Sequence, residues 1–581
     1  MEDYKKRYEA WLASDKVDEA SKEELRAIAD DDDEIRMRFE STMEFGTGGL
    51  RSKMAAGANR MNFYTVAQAT EGVARLIESV GGNAKERGVM LGCDSRNNSA
   101  AFARRCAEVL TAHGIKCYLF DELRPTPMLS AGVRHFGCIA GINITASHNP
   151  SAYNGYKLYW EDGAQPTGEV ASKVADFIKN SDVFEDVPTP DKVNEDLITM
   201  VGADFDEFFM AKVMDEQVYP DTVKKDADNL KIVYTPLCGA GYRIVPEVLR
   251  RIGVKNLYTV PSQITPNGDF PGLEKPNPEY PAAFTEGIKI AEEIKSNLII
   301  ANDPDCDRVG VMARNSKGEF ECITGNQMGS LLLDYIFSAL EEQGKLPADG
   351  YAVKTIVTSE MATKICAGHN VELYNVLTGF KFIAEVIAEH EKAGSGTFLL
   401  GYEESYGYMK GQYSRDKDGV VASMLITEMA AYYELKGMTL IDAIESLYER
   451  YGFYHETSAE IYMEGLDGPE KIAGLMDKLR ADEPAELAGS KVVNIRDYLA
   501  ETSKNTLTGE VTGTGLPKSN VLYWACENGC VVVARPSGTE PKIKFYILAN
   551  GADEDGAKAN AKACTHSLED MLGMPHDSLK K

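Results

Sequence analysis

Short apolar runs, polar turns and amphipathic stretches alternate along the chain, and one unit recurs: apolar strand, turn, helix, short strand. It reads at 89–93, 99–113 and 117–120, again at 230–234, 241–252 and 256–260, and a third time at 351–357, 361–367 and 371–374. Apolar strands joined through 3.6-period helices build α/β sheets, so three separate copies predict three α/β domains. From about residue 454 the pattern changes to strands with two helices, over 469–480 and 557–572, as in an α+β domain. The first 43 residues are charged and helical, with Tyr4, Tyr8, Trp11 and Leu12 on one face. Ser21-Lys-Glu-Glu24 reads as a capping box for a second helix. The acidic run from Asp30 to Glu34 reads as the start of a third, where negative charge suits the helix dipole.

A length of 581 residues is too great for one core and suggests three or four domains. No apolar run approaches membrane-spanning length, and the opening Met-Glu-Asp-Tyr-Lys-Lys begins a polar helix rather than a signal peptide. The eleven cysteines are odd in number and scattered, which fits reduced thiols in the cytoplasm. A formal charge of −28 argues against nucleic acid and anionic membranes. It also repels phosphorylated metabolites, so a site for them must gather cations locally.

Four apolar runs lead into loops that carry chemistry. After 137–144 comes Asn143-Ile-Thr-Ala-Ser-His-Asn-Pro150, which places the Ser147 hydroxyl beside His148 where a strand opens into a loop. Leu298-Ile-Ile-Ala301 leads into Asn302-Asp-Pro-Asp-Cys-Asp-Arg308. Carboxylates at Asp303, Asp305 and Asp307 can fold round a hard divalent cation, and oxygen-only ligands suit Mg²⁺ better than Zn²⁺. A calcium-loop reading fails, because the Gly and the twelfth-position Glu are absent. Thr397-Phe-Leu-Leu400 leads into Gly401-Tyr-Glu-Glu-Ser-Tyr-Gly407, where Glu403 and Ser405, two apart, project to one side if the segment is extended. Between two strands lies Arg535-Pro-Ser-Gly-Thr-Glu-Pro-Lys542, which offers a guanidinium, two hydroxyls, a Gly and a Lys for a phosphate cradle. Gly46-Thr-Gly-Gly-Leu-Arg51 lacks dinucleotide-binding spacing, and Ser147 lacks a G-x-S-x-G elbow. Arg96, after the first repeated strand, reads equally as a support for the Ser147 loop or as a surface ion pair.

These four segments, in this order, resemble the α-D-phosphohexomutase superfamily over about Glu44 to Leu548. By that resemblance they are the phosphoserine, metal, sugar-binding and phosphate-binding loops. The resemblance implies an α/β fold of three similar domains with mixed sheets plus a C-terminal α+β domain, around a central cleft. The expected layout is a helical arm over 1–43 and domains over 44–204, 205–324, 325–453 and 454–581, each domain carrying one loop.

The implied chemistry is phosphoryl transfer through a phosphoserine at Ser147 and a sugar bisphosphate, with Mg²⁺ on Ser147, Asp303, Asp305 and Asp307. His148, Lys157, Lys417 and Arg51 would be catalytic, with Lys417, in Arg415-Asp-Lys-Asp-Gly419, or His148 as general base. A lysine base must have its pKa depressed. Sugar phosphates would be held by Thr378, Gly379, Lys381, Glu403, Ser405 and Arg415. Their phosphate would sit on Arg535, Ser537, Gly538, Thr539 and Lys542, and Arg308 would close the metal loop. Cys306 stands where many members have Gly or Ala. Glu-Glu-Ser in the sugar loop favours glucose 1-phosphate and glucose 6-phosphate as substrates, with glucose 1,6-bisphosphate as intermediate and activator. Mannose and pentose phosphates are alternatives, as is a phosphosugar sensor without turnover. A monomer or homodimer is expected.

Overall fold

The computed structural model describes every residue except 1, 2, 47, 464, 466, 539, 540, 580 and 581. Three mixed sheets follow one another along the chain. The first runs in the order Gly49–Lys53, Tyr153–Trp160, Ala140–Ile144, Val89–Cys93, Cys117–Phe120, Ile198–Val201. The second runs Phe320–Ile323, Val309–Arg314, Leu298–Asn302, Lys231–Thr235, Asn256–Thr259, and the third Glu372–Val376, Gly350–Thr355, Thr397–Glu403, Gly407–Met409. In each, parallel strands form the middle and the chain then doubles back antiparallel: Ala140–Ile144 into Tyr153–Trp160, Leu298–Asn302 into Val309–Arg314, Thr397–Glu403 into Gly407–Met409. The connecting turn occupies the same place in all three copies. It lies at the carboxyl end of a central strand, where open α/β sheets bind ligands. Among the described residues of the fourth domain, an antiparallel sheet pairs Phe453–Tyr462, Lys542–Gly551, Val531–Pro536 and Leu522–Cys526, and the helix Glu554–Leu572 covers it.

The central strands Val89–Cys93, Ala140–Ile144 and Leu298–Asn302 are buried on both faces, as near-continuous apolar runs in parallel sheets should be. One apolar cluster passes without a break through the first three domains, joining Met90 and Leu129 to Tyr234 and Leu298 and on to Leu332 and Tyr402. A smaller one joins Ile356, Val357 and Leu377 of the third domain to Val521, Tyr523 and Tyr546 of the fourth.

The arm comprises the helices Asp3–Ala13, Glu19–Ala27 and Asp32–Phe39, and it packs Tyr8, Trp11 and Phe39 against Tyr64 and Phe184 of the first domain. The second helix does not start at a Ser21 capping box. Its N-cap is Asp18, whose carboxylate accepts the Ser21 amide, because that carboxylate is also fastened by the Tyr64 hydroxyl. Asp31 caps the third helix. Among the described residues no helix is long and apolar enough to cross a membrane.

One surface network gives the fold a pH dependence. His113 lies 2.7 Å from Glu71 and 3.3 Å from Glu78, and the Glu71 hydrogen bond, against partial burial, raises its pKa above the ordinary 6.5. A raised folded-state value stabilises fully below the unfolded pKa, and that contribution is lost as pH climbs through the folded value. His113→Gln should therefore lower the thermal midpoint more at pH 6 than at pH 9 in scanning calorimetry. Equal deficits would remove the imidazolium from the stability account.

Candidate active site

Ser147 occupies the turn after Ala140–Ile144 with a φ of +51°, a left-handed conformation that a serine adopts only when held there. Three layers hold it. The Thr145 hydroxyl accepts the Ser147 amide at 2.8 Å and donates to Asp94 at 2.6 Å. Asp94 in turn accepts the Arg96 amide and the Ser99 hydroxyl, both at 2.9 Å. The Arg96 guanidinium donates to the carbonyls of Ser147 (2.6 Å), Pro150 (2.8 Å), Tyr153 (3.0 Å) and Asn149. Its side chain is fully buried beside Asp94, 3.3 Å away, inside the loop rather than on the surface.

The turn after Leu298–Asn302 brings the three aspartates together. All are buried, and one oxygen from each lies within 4.8 Å of the others. The Ser147 hydroxyl donates to Asp303 at 2.6 Å, across 156 residues of sequence. The other Asp303 oxygen accepts the amides of Asp307 and Arg308 and so shapes the loop. One oxygen each on Asp305 and Asp307 is buried with no hydrogen-bond partner. Orphaned carboxylate oxygens in such a cluster fit a hard divalent cation, which supplies the missing partner and neutralises the charge. Cys306 has a φ of +56°, a conformation that favours Gly, and is fully buried with Gly241 close against its sulfur, which leaves room only for a small residue.

Cations from two other domains face the cluster. Lys157, on Tyr153–Trp160, lies 2.7 Å from Asp305 and 3.0 Å from Asp307. Lys417, in the third domain, lies 3.3 Å from Asp307 and 3.2 Å from Asp416. Burial opposes the charge on Asp307, yet Lys157, Lys417 and Arg308 together hold it below the usual carboxylate range. Burial, with Asp305 and Asp307 beside it, pushes Asp303 well up. Burial likewise opposes the charge on Lys417, but Asp307, Asp416 and Glu403 raise its pKa. His148 behaves in the opposite way. Its Nδ1 lies 3.2 Å from the Ser147 hydroxyl, and burial with Arg308 and Arg51 nearby drives its pKa well below the ordinary value, leaving a neutral ring. Arg51, on Gly49–Lys53, donates to Asn149 of the serine loop at 3.2 Å.

The third loop is a tight turn rather than an extended segment. Glu403 ends its strand, 404–406 turn over, and Tyr406 has a φ of +67°. Glu403 accepts the Gly379 amide at 2.7 Å, which fastens the 378–381 turn to the 404–406 turn, and the Thr378 hydroxyl there is buried without a partner. Burial and the adjacent Glu403 push Glu404 up to about 7. Lys381 has its pKa lowered by burial. Arg308 pairs by its backbone with Gly407, joining the aspartate loop to the 404–406 turn. Arg415, whose side chain is fully buried, donates to the carbonyls of Gln412 and Ser414 in its own turn and to Glu391 of the helix Phe380–Ala393.

In the fourth domain Arg535 donates to the Tyr546 hydroxyl at 3.4 Å, and the Ser537 amide closes the hairpin onto Lys542. The Gly538 carbonyl lies 3.7 Å from where a Cβ on Gly46 would stand, so this loop reaches the first domain. Lys542 bonds both Glu460 oxygens, and Lys544, on the same face, pairs in register with Arg535. Thr539 lies outside the described residues. Thr126 went unnoticed in the sequence: its hydroxyl donates to Asp305 at 3.0 Å and its amide to the Asp305 carbonyl at 2.8 Å. The Pro125-Thr-Pro127 punctuation, which starts the helix Thr126–Phe136, was the available signal.

Residues 42–184, 207–318 and 324–451 match the family descriptions "Phosphoglucomutase/phosphomannomutase, alpha/beta/alpha" domains I, II and III. A protein named Phosphoglucomutase from Staphylococcus saprophyticus is 35% identical over 527 residues, 89% of this chain and 92% of its own length. Its namesake from Staphylococcus haemolyticus is 36% identical over 516 residues, 88% and 91% of the two chains. The open form of parafusin, a Paramecium phosphoglucomutase, superposes with a TM-score of 0.64 at 17% identity, over 92% of this chain and 95% of that one. A Burkholderia thailandensis phosphoglucomutase/phosphomannomutase family protein superposes at 0.63 and 16%, over 92% and 98%. At those identities the superpositions speak for the fold alone.

The Arg96 fork generates a direct test. Arg96→Lys keeps a charge opposite Asp94 but leaves buried carbonyls unpaired, each costing about 1–3 kcal/mol. Unfolding free energy should drop by about 2 kcal/mol in denaturant titration, with faster amide exchange across 147–153. Unchanged exchange there would mean that the loop holds itself.

Proposed function

The chain belongs to the phosphoglucomutase/phosphomannomutase family, and we propose that it is a phosphoglucomutase interconverting α-D-glucose 1-phosphate and glucose 6-phosphate, an intramolecular phosphotransferase of the isomerase class. The observation that carries this reading is the Ser147 hydroxyl at 2.6 Å from Asp303, inside a buried aspartate cluster faced by Lys157 and Lys417. A phosphoryl group on that oxygen meets fixed positive charge on two sides. Asp303, Asp305 and Asp307 are the residues to hold Mg²⁺, which when bound neutralises phosphoryl oxygens.

In this reading Ser147 carries the phosphoryl group in the active form. A sugar monophosphate binds by its phosphate at Arg535, Ser537, Gly538 and Lys542, with Thr539, and by its ring at Glu403, Ser405 and the turn from Thr378 through Gly379 to Lys381. The free hydroxyl attacks the phosphoserine in line; the bond from phosphorus to Ser147 Oγ breaks as the new one forms, and the hydroxyl's proton leaves through Lys417 or His148 while the departing Ser147 oxygen takes one up. Lys157, Lys417, Arg51 and Arg308 stabilise the charge that develops on the transferring group. Glucose 1,6-bisphosphate then turns round and returns its other phosphoryl group to Ser147. Placement and charge supply most of the rate. Eleven unpaired cysteines fit a reducing compartment, the cytoplasm.

Ser147→Ala should lower turnover by more than about a thousandfold while leaving the melting midpoint and glucose 6-phosphate binding in place. In wild type, excess chelator should stop turnover and added Mg²⁺ restore it. Near-normal rates for the variant, or full activity in chelator, would take the serine or the aspartates out of the chemistry.

A panel of glucose, mannose and ribose 1-phosphates, each with Mg²⁺ and its bisphosphate, tests the substrate. We expect kcat/KM to be highest for glucose and modestly lower for mannose, which keeps the C3 and C4 hydroxyls. Ribose should be lowest, because a lost hydroxyl leaves a site group unpaired. A win for ribose 1-phosphate would make the chain a phosphopentomutase.

A further inference from the structure

Lys417 stands on a long connection, residues 410–418, between the strand Gly407–Met409 and the helix Gly419–Glu434. Its own domain fixes the two ends of that connection. The Asp418 amide donates to the Tyr408 carbonyl at 2.8 Å, and the Asp418 carboxylate caps the helix through the amides of Val420 and Val421. The stem of Lys417 crosses Gly407 so closely that a Cβ there would stand 2.2 Å from its Cδ.

The middle of the connection is fastened to a different domain. The Arg415 amide donates to the Ser130 hydroxyl of the first domain at 2.8 Å. The Tyr159 hydroxyl, also of the first domain, donates to Asp416 Oδ2 at 2.7 Å, and both side chains are buried. The other Asp416 oxygen accepts the Lys417 amide at 2.8 Å and the Lys417 ammonium at 3.2 Å. Tyr159 lies two residues beyond Lys157 on Tyr153–Trp160, so the two side chains leave the same face of one strand. Lys157 goes to Asp305 and Asp307, and Tyr159 goes to Asp416. One strand thus sets one lysine directly and a second lysine at one remove.

We propose that Tyr159 is a positioning residue for phosphoryl transfer: its hydroxyl fixes the Asp416 carboxylate, which holds the Lys417 ammonium beside Asp307. Without the Tyr159 hydroxyl, Asp416 Oδ2 is left buried and unpaired, so the carboxylate turns toward another donor and shifts the oxygen that holds the Lys417 ammonium. The inference rests on the functional reading above, in which Lys417 stabilises the transferring group. A lysine displaced by about 1 Å costs rate up to about a hundredfold, while ground-state binding of the sugar through the other loops persists.

Tyr159→Phe removes one oxygen and keeps the ring. We expect kcat for glucose 1-phosphate to fall between about tenfold and a hundredfold, with KM within about twofold and a cooperative melt retained. In an Asp416→Asn background the same change should cost nothing further, because the group through which Tyr159 acts no longer holds the lysine. Should Asp416→Asn fail to fold, Lys417→Met serves as the background, with the same expectation. A Tyr159→Phe enzyme with wild-type kcat, effects that multiply in the double variant, or loss of cooperative melting would each overturn the proposal. Wild-type turnover is read in the same assay. If glucose 1-phosphate is not turned over, the functional reading fails on its own, and the comparison is repeated with the best substrate of the panel.

Discussion

Three carboxylates in one buried loop cannot be left alone. An uncompensated buried charge costs several kcal/mol, and two or three together repel one another as well. Asp303, Asp305 and Asp307 are all buried. Their compensation comes from Lys157 of the first domain, Arg308 of the loop itself and Lys417 of the third domain. The metal loop therefore requires the domains to converge, and the unbroken apolar cluster through all three holds them in that arrangement. A site of this kind is not carried by any one domain. It exists where their charges meet.

The convergence works because each domain offers the same turn. Ser147, Cys306 and Tyr406 all have positive φ, at 51°, 56° and 67°, and each follows the central strand that then pairs with an antiparallel return. Left-handed backbone at a non-glycine residue costs roughly 1–2 kcal/mol. Paying it three times at equivalent places turns each chain back sharply enough to present a short loop at the strand end. The side chains on those loops then differ: a hydroxyl and an imidazole, three carboxylates, a pair of glutamates. One backbone solution serves three chemistries.

The repeated strand–helix–strand units and the loops after apolar runs were legible in the sequence because both are local patterns. Three α/β domains with mixed sheets are what the chain forms. What local pattern could not show were pairings over long separations. Tyr153–Trp160 forms a strand between Gly49–Lys53 and Ala140–Ile144, and the first of those partners lies about a hundred residues upstream. Glu403 and Ser405 were spaced for an extended face, but the strand ends at Glu403 and 404–406 form a turn. Arg96 was undecided because its carbonyl partners lie more than 50 residues away. Arg415 has the same chemistry on paper, and its partner Glu391 lies on the helix Phe380–Ala393.

The lysine–histidine question was undecidable from sequence for a related reason. Both residues stand where a proton could be taken, and their environments pull them apart. Carboxylates around Lys417 keep it charged, whereas burial among arginines keeps His148 neutral. Pairs of titratable groups driven in opposite directions mark which carries charge and which moves protons. Lys157, Lys417 and the arginines form a fixed positive field that does not depend on pH within the cellular range. In a chain with a formal charge of −28, gathering cations at one cleft draws anionic sugar phosphates to it. Burial is the first cause of the lowered His148 pKa, and Arg308, Arg51 and Arg96, part of that same concentration of charge, lower it further.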